Sequence, residues 1–213
     1  MEFFHHLVDF VLHIDKHLEE IVRQYDGATY IILALIVFCE TGLVITPFLP
    51  GDSLLFAAGA LAGLGLLNFW LLIIILFVAA LLGDNLNFAV GNYVGDKLIN
   101  GKRKWIKKDY LDRTHRFYEK HGGKTVIIAR FVPIIRTFAP FVAGLGSMIY
   151  SRFLLFCVLG NLLWILIFTS AGFLLGNHPW VKAHFSLVTL AIIVVSVLPV
   201  IFGIIKTKYT STN

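Results

Sequence analysis

Charge is what this chain has least of. Only 15% of its 213 residues are Asp, Glu, Lys or Arg, while 58% are hydrophobic. A soluble domain carries charge on about a quarter of its positions, so this composition cannot furnish a water-facing surface. Cysteine is almost missing: Cys39 and Cys157 both fall in apolar segments. Two such thiols read as small hydrophobes and point to neither a disulfide framework nor a metal site. A cleavable leader is not expected either. The first 27 residues hold six acids against Lys16 and Arg23, with no basic start and no small-residue cleavage site.

Long apolar runs take the place of charge. Phe153 to Leu175 and Phe185 to Ile205 contain no charged residue, and Phe69 to Val94 is apolar apart from Asp84 and a few amides. Each is long enough to cross a hydrocarbon layer of about 30 Å as a helix. The expected class is therefore all-α: a polytopic membrane protein. Near the N-terminus, Phe4, Leu7, Val8, Val11, Ile14, Leu18, Ile21 and Tyr25 recur at three- and four-residue steps. Residues 1–27 thus read as an amphipathic helix, either lying on the membrane surface or capping the protein's own bundle.

The net charge of +5 does not point to nucleic acid, because ten of the eighteen basic residues lie between Lys97 and Lys124. A basic loop of about 95–124 between two apolar segments marks the cytoplasmic side, and Lys206 and Lys208 put the C-terminus there too. Counting crossings from these anchors takes 28–45 outward, 69–94 inward, 153–175 outward and 185–205 inward, with the N-terminus cytoplasmic. Two apolar stretches are left over, about 46–67 and about 125–149. Each would start and finish on one membrane face, and each holds two prolines and several glycines.

Such stretches fit re-entrant helical hairpins, tolerated where broken backbone is buried in protein or lines a wet cavity. Two further full crossings are the alternative, disfavoured by proline where a straight helix would not have it. PFLPGDSLLFAAGALAG runs twelve residues from Pro47 to Gly59, and PIIRTFAPFVAGLGS runs eleven from Pro133 to Gly144. Each is followed by a long apolar helix entered from the opposite side. That is the pattern of an inverted repeat, which in secondary transporters places the site where the halves meet. Residues 28–213 accordingly read as one transmembrane domain.

Four ionisable residues stand at membrane depth: Glu40, Asp52, Arg130 and Arg136, with Asp84 a less certain fifth. Each costs about 3 kcal/mol by insertion scales, so four cost about 10 kcal/mol, as much as a whole domain's stability. They must pair, face water or neutralise. One reading sets Glu40 and Asp52 of one repeat against Arg130 and Arg136 of the other as structural ion pairs. The other makes them a transport pathway, and the two are compatible. On an unbroken helix Arg130 and Arg136 would point about 120° apart, but Pro133 lets both turn into one cavity. The TPFLPGD break likewise folds Asp52 back towards Glu40. Arginine offers phosphate a permanently charged planar fork, whereas carboxyl groups gain and lose protons. Arg130 and Arg136 are thus the candidate substrate-binding residues, for an anionic headgroup. Glu40 and Asp52 are the candidate proton carriers.

The stretches FCETGLVITPFLPGDSLLFAAGALA and YEKHGGKTVIIARFVPIIRTFAPFVAGLGSM resemble the bacterial DedA family, whose shared region is also called the SNARE-associated or VTT domain. The resemblance covers roughly residues 10–205, with no departure at the glutamate, the PxxPGD turn or the RFxPxxRTxxPxxAG segment. It implies an inner-membrane transporter with two re-entrant hairpins. Its activity would be proton-motive-force-dependent recycling of polyisoprenyl phosphate carrier lipids such as undecaprenyl phosphate, in support of the cell envelope. Related eukaryotic members are phospholipid scramblases. Carried over, Glu40 and Asp52 match the family's essential acids, and Arg130 and Arg136 its essential arginines. The implied partners are a polyisoprenyl phosphate or phospholipid, protons and membrane lipids, with no cofactor and no nucleic acid. An assembly of several copies is compatible with this.

Three other functions fit the residues less well. A proton-coupled antiporter of small cations or drugs would use the acids to bind and the arginines only as structure. A lipid phosphatase would need a nucleophile, yet His5, His6, His13, His17, His115, His121, His178 and His184 all fall in termini or loops, so no enzyme is expected. A scaffold would use the basic loop on anionic lipids or a partner, though such loops ordinarily set topology. His121-Gly122-Gly123 reads equally as a hinge or as a helix cap.

Overall fold

The computed structural model describes residues 27–43, 51–100, 126–127, 130–131, 133–146, 148–176, 178–183, 187–188 and 191. The expected helix of 1–27, the TPFLPGD turn before Gly51, the basic loop beyond residue 100 and nearly all of the final crossing at 185–205 lie outside these. Among the described residues the chain is all-helical, with no strand. The elements are α1 (Ala28–Gly42), α2 (Gly51–Gly63), α3 (Phe69–Asn100), α4 (Pro133–Leu145), α5 (Tyr150–Leu175) and the short α6 (Pro179–Ala183).

Among the described residues two helices are long and apolar enough to cross a membrane: Phe69–Gly95, 27 residues within α3, and α5, with 26 residues. At 1.5 Å per residue each spans about 40 Å. Their faces are reversed relative to a soluble helix. On α3, Trp70, Ile74, Val78, Leu82, Leu86, Val90 and Tyr93 form an exposed apolar stripe, while Asp84 and Asn87 are fully buried. Water would not tolerate that stripe, but hydrocarbon does, and the polar groups find their partners inside. By contrast α1 has 15 residues, and α2 and α4 have 13 each. Thirteen residues reach only about 20 Å, two-thirds of a hydrocarbon core.

The described helices belong to two compact units, Met1–Ala34 with Phe48–Leu76 and Ile165–Asn213, and Leu35–Pro47 with Phe77–Trp164. In the first unit α2 is buried from Gly51 to Ala62, as its many Gly and Ala residues permit. A Cβ on Gly59 would strike the carbonyl of Thr169 in α5, and one on Gly172 would strike the carbonyl of Phe56 in α2. The two backbones therefore touch through reciprocal glycines. Helix α2 ends where Leu66 N–H reaches Leu61 O at 3.1 Å and Gly65 N–H reaches Ala62 O at 3.0 Å. Gly65 adopts φ 78°, the left-handed conformation such a cap requires. Asn68 Oδ1 then accepts Leu71 N–H at 3.0 Å and starts α3.

The second unit repeats this construction with other helices. A Cβ on Gly144 of α4 would strike Phe88 O of α3, and one on Gly91 would strike Phe141 O. Helix α4 closes with Met148 N–H bonded to Ala143 O at 3.0 Å. Phe56-x-x-Gly59 and Phe141-x-x-Gly144 occupy equivalent places in the two crossings. Each crossing also falls at the same distance along its long helix: Phe88 is 19 residues beyond Phe69, and Thr169 is 19 beyond Tyr150. The unit's apolar core gathers Phe88, Val126, Ala143, Met148, Phe153 and Cys157, with Phe88 and Phe153 stacked at 4.3 Å.

The prolines act differently from one another. Pro133 opens α4, where a missing N–H costs nothing, whereas Pro140 lies inside that helix instead of ending it.

Candidate functional site

All five ionisable residues read from the sequence are buried: Glu40 is 1% exposed, Asp52 7%, Asp84 0%, Arg130 2% and Arg136 5%. Asp52 belongs to the first unit, in the first turn of α2, where the helix dipole favours a carboxylate. The other four share the second unit.

Arg130 and Arg136 are separated by the start of α4. Arg130 lies in the preceding turn, its N–H bonded to Ile127 O at 3.1 Å, and Arg136 lies in the helix. Arg130 forks onto Asp84: Nη1 donates to Oδ1 at 3.1 Å, and Nη2 donates to Oδ2. Asp84 Oδ2 also accepts from Asn161 Nδ2 at 2.7 Å and from the Cys157 thiol at 2.9 Å. Arg130 Nη2 is 3.5 Å from Cys157 Sγ. Gly160 faces this arginine, and a Cβ there would lie in ordinary van der Waals contact, 3.8 Å from Nε.

Arg136 pairs with Glu40 through Nη2 and Oε1. Its guanidinium carbon sits 4.9 Å from the ring centroid of Trp164, a cation–π contact with a fully buried indole. Cys157, Asn161 and Trp164 stand at i, i+4 and i+7, one face of α5. The contact points of the two arginines on α5, Cys157 for Arg130 and Trp164 for Arg136, are thus about 10 Å apart along a single stripe.

Asn87 braces the same place. Its Nδ2 donates to Thr41 O at 3.0 Å and Thr137 O at 2.7 Å, each the neighbour of a member of the Arg136–Glu40 pair. The Oδ1 atoms of Asn87 and Asn161 are buried with no hydrogen-bond donor among the described residues. Together the site holds two permanent cations and two acids, all of them buried.

Of the residues read from the sequence, Glu40, Arg130 and Arg136 lie within one unit, Arg136 paired with Glu40 and Arg130 with Asp84, the fifth and less certain of the ionisable residues. Cys157 is a hydrogen-bonding member of the cluster and more than a small hydrophobe. Asn87, Asn161 and Trp164 went unflagged. Asn161 did carry a signal, as the one amide in the run Phe153 to Leu175; Trp164 carried none.

Comparison with known proteins now bears on this arrangement. The VTT domain model matches residues 49–174. Protein DedA of Escherichia coli K12 is 54% identical over 211 residues, covering 98% of this chain and 96% of that protein. An uncharacterized membrane protein of Mycobacterium leprae is 42% identical over 170 residues, covering 79% and 76%. Inner membrane protein YqjA of Escherichia coli K12 is 33% identical over 179 residues, covering 84% and 81%. No solved structure matches the chain.

Proposed function

The chain belongs to the DedA family of VTT-domain membrane proteins, and from that premise we propose that it is a proton-motive-force-dependent transporter of a polyisoprenyl phosphate carrier lipid, undecaprenyl phosphate. Its place would be the bacterial inner membrane, with both termini cytoplasmic, and it would catalyse no covalent change. The observation that carries this reading is the buried Arg136–Glu40 pair backed by Trp164. A guanidinium held by a carboxylate is a phosphate fork with a titratable stopper. A proton delivered to Glu40 from the acidic side removes the competitor, and the fork is then free for a phosphate monoester. Loss of that proton on the other side restores the pair and expels the headgroup. The isoprenoid tail stays in the bilayer throughout, so the protein needs to shield only the charged end.

Two half-crossing hairpins in inverted repeat would supply the moving parts. In support, α2 and α4 are equal in length and too short to cross, and each meets a long helix through reciprocal contacts around a Phe-x-x-Gly step, at the same distance from that helix's start. Asp52, buried in the other unit, would serve as a second proton carrier on this reading. Reconstitution into vesicles, following transbilayer movement of undecaprenyl phosphate with and without a pH gradient, tests the proposal. Movement should depend on the gradient and vanish in an Arg130→Ala, Arg136→Ala double variant. Unchanged movement in that variant would falsify it.

A further inference from the structure

The side-chain amide of Asn87 bonds to backbone on both sides of the Arg136–Glu40 pair. Resting on the reading just given, we propose that Asn87 is a positioning residue for the phosphate fork. It does not touch the lipid; it sets the spacing of α1 and α4 across which Arg136 meets Glu40.

Four residues of α3, Gly83, Asn87, Gly91 and Gly95, recur at four-residue steps and so share one stripe. Helix α1 crosses that stripe at one end, where a Cβ on Gly83 would strike Thr41 Oγ1 and Phe38 O. Helix α4 crosses farther along. There a Cβ on Gly91 would strike Phe141 O, and one on Gly95 would come within 3.0 Å of Leu145 O. Asn87 stands between the two crossings, fully buried, as the polar member of the stripe. Its Nδ2 carries two hydrogens, and it donates to Thr41 O at 3.0 Å and to Thr137 O at 2.7 Å. Those two carbonyl oxygens therefore lie no farther apart than the two bonds laid end to end.

Both helices need holding at this point. Thr41 lies in the last turn of α1, where carbonyls run out of helical N–H partners. In α4, Pro140 has no N–H to offer Arg136 O four residues back, so the turn that carries the arginine is weakened. Glu40 and Arg136 immediately precede Thr41 and Thr137. A shift of either carbonyl thus carries one member of the pair with it. Asn87 Oδ1 is buried with no donor among the described residues, which is unfavourable. Leucine would fill a similar space without that penalty and would lose only the two N–H donors. The donors are what the position uses.

Fluorine NMR of the purified full-length protein labelled with fluorotryptophan reads the fork directly, because the Trp164 ring lies 4.9 Å from the Arg136 guanidinium. The Trp164 resonance is the one that Trp164→Phe removes, and Arg136→Gln marks where it falls once the cation is gone. In Asn87→Leu it should move towards that mark. In Asn87→Ser, which retains one donor, it should move part of the way. An unmoved resonance in Asn87→Leu would overturn the inference; where that variant does not fold, an unmoved resonance in Asn87→Ser would do so. Undecaprenyl phosphate movement in vesicles is the second readout. Asn87→Leu should slow it by about 10-fold in the wild-type background but by less than about 2-fold in Arg136→Lys, whose fork is already lost. Equal slowing in the two backgrounds is what a merely structural residue gives, and it would also overturn the role. If wild type moves no lipid at all, the transport reading fails, while the fluorine spectra still decide whether Asn87 places Arg136.

Discussion

Arg130 donates from both terminal nitrogens to the two carboxylate oxygens of Asp84, with neither residue more than 2% exposed. Removing one partner of such a pair strands the other as a lone buried charge, which costs about 3–5 kcal/mol. Asp84→Leu should therefore lower the melting temperature of the detergent-solubilised protein sharply. Adding Arg130→Met removes the stranded charge and should recover most of the loss, while transport stays abolished. A double variant no more stable than the single would mean the pair is not where the energy lies.

Trp164 holds the Arg136 guanidinium against its ring face at 4.9 Å. A desolvated contact of this kind is worth about 1–2 kcal/mol, or about 5- to 30-fold in a rate that depends on the aimed fork. Trp164→Leu should slow lipid movement by that factor, and Trp164→Phe should retain more than Trp164→Leu. Equal rates in the two variants would assign the indole to packing alone.

The charged residues were legible before any coordinates because an acid or an arginine in an apolar run has no other explanation. Glu40, Arg130 and Arg136 stood out this way, and all three prove buried in one unit. Which carboxylate meets which guanidinium was not legible, since Asp52 and Asp84 are equally apolar in context and pairing is a property of packing. The crossing helices were visible by length in α3 and α5. The reciprocal glycine contacts were not, because Gly59 and Gly144 announce a close approach without naming the helix that approaches.

Those contacts can be broken one atom at a time. A methyl group at Gly59 or Gly144 would drive into backbone carbonyl, Thr169 O and Phe88 O respectively, which no side-chain rotation can relieve. Gly59→Ala and Gly144→Ala should each cost about 1–3 kcal/mol through overpacking, and by similar amounts because the crossings are built alike. Gly27→Ala, where nothing lies within 4 Å, is the control and should leave the melting temperature unchanged. A tolerated alanine at both crossings would remove the support they lend to a repeated architecture.

Arg136→Lys separates the lipid phosphate reading from cation exchange. Lysine keeps the positive charge and can still pair with Glu40, but it offers one nitrogen where arginine offers a planar fork, and it stacks less well on Trp164. If the arginine only balances charge beside acids that bind a cation, the lysine variant should work nearly as well as wild type. If the fork grips phosphate, the lost bidentate contact and the poorer stacking should together reduce lipid movement by about 10-fold or more while the folded protein survives. Initial rates of undecaprenyl phosphate movement in vesicles, set beside the melting temperature of the same preparation, read both quantities at once. Near-normal lipid movement in Arg136→Lys would show that the guanidinium fork is not what grips the phosphate.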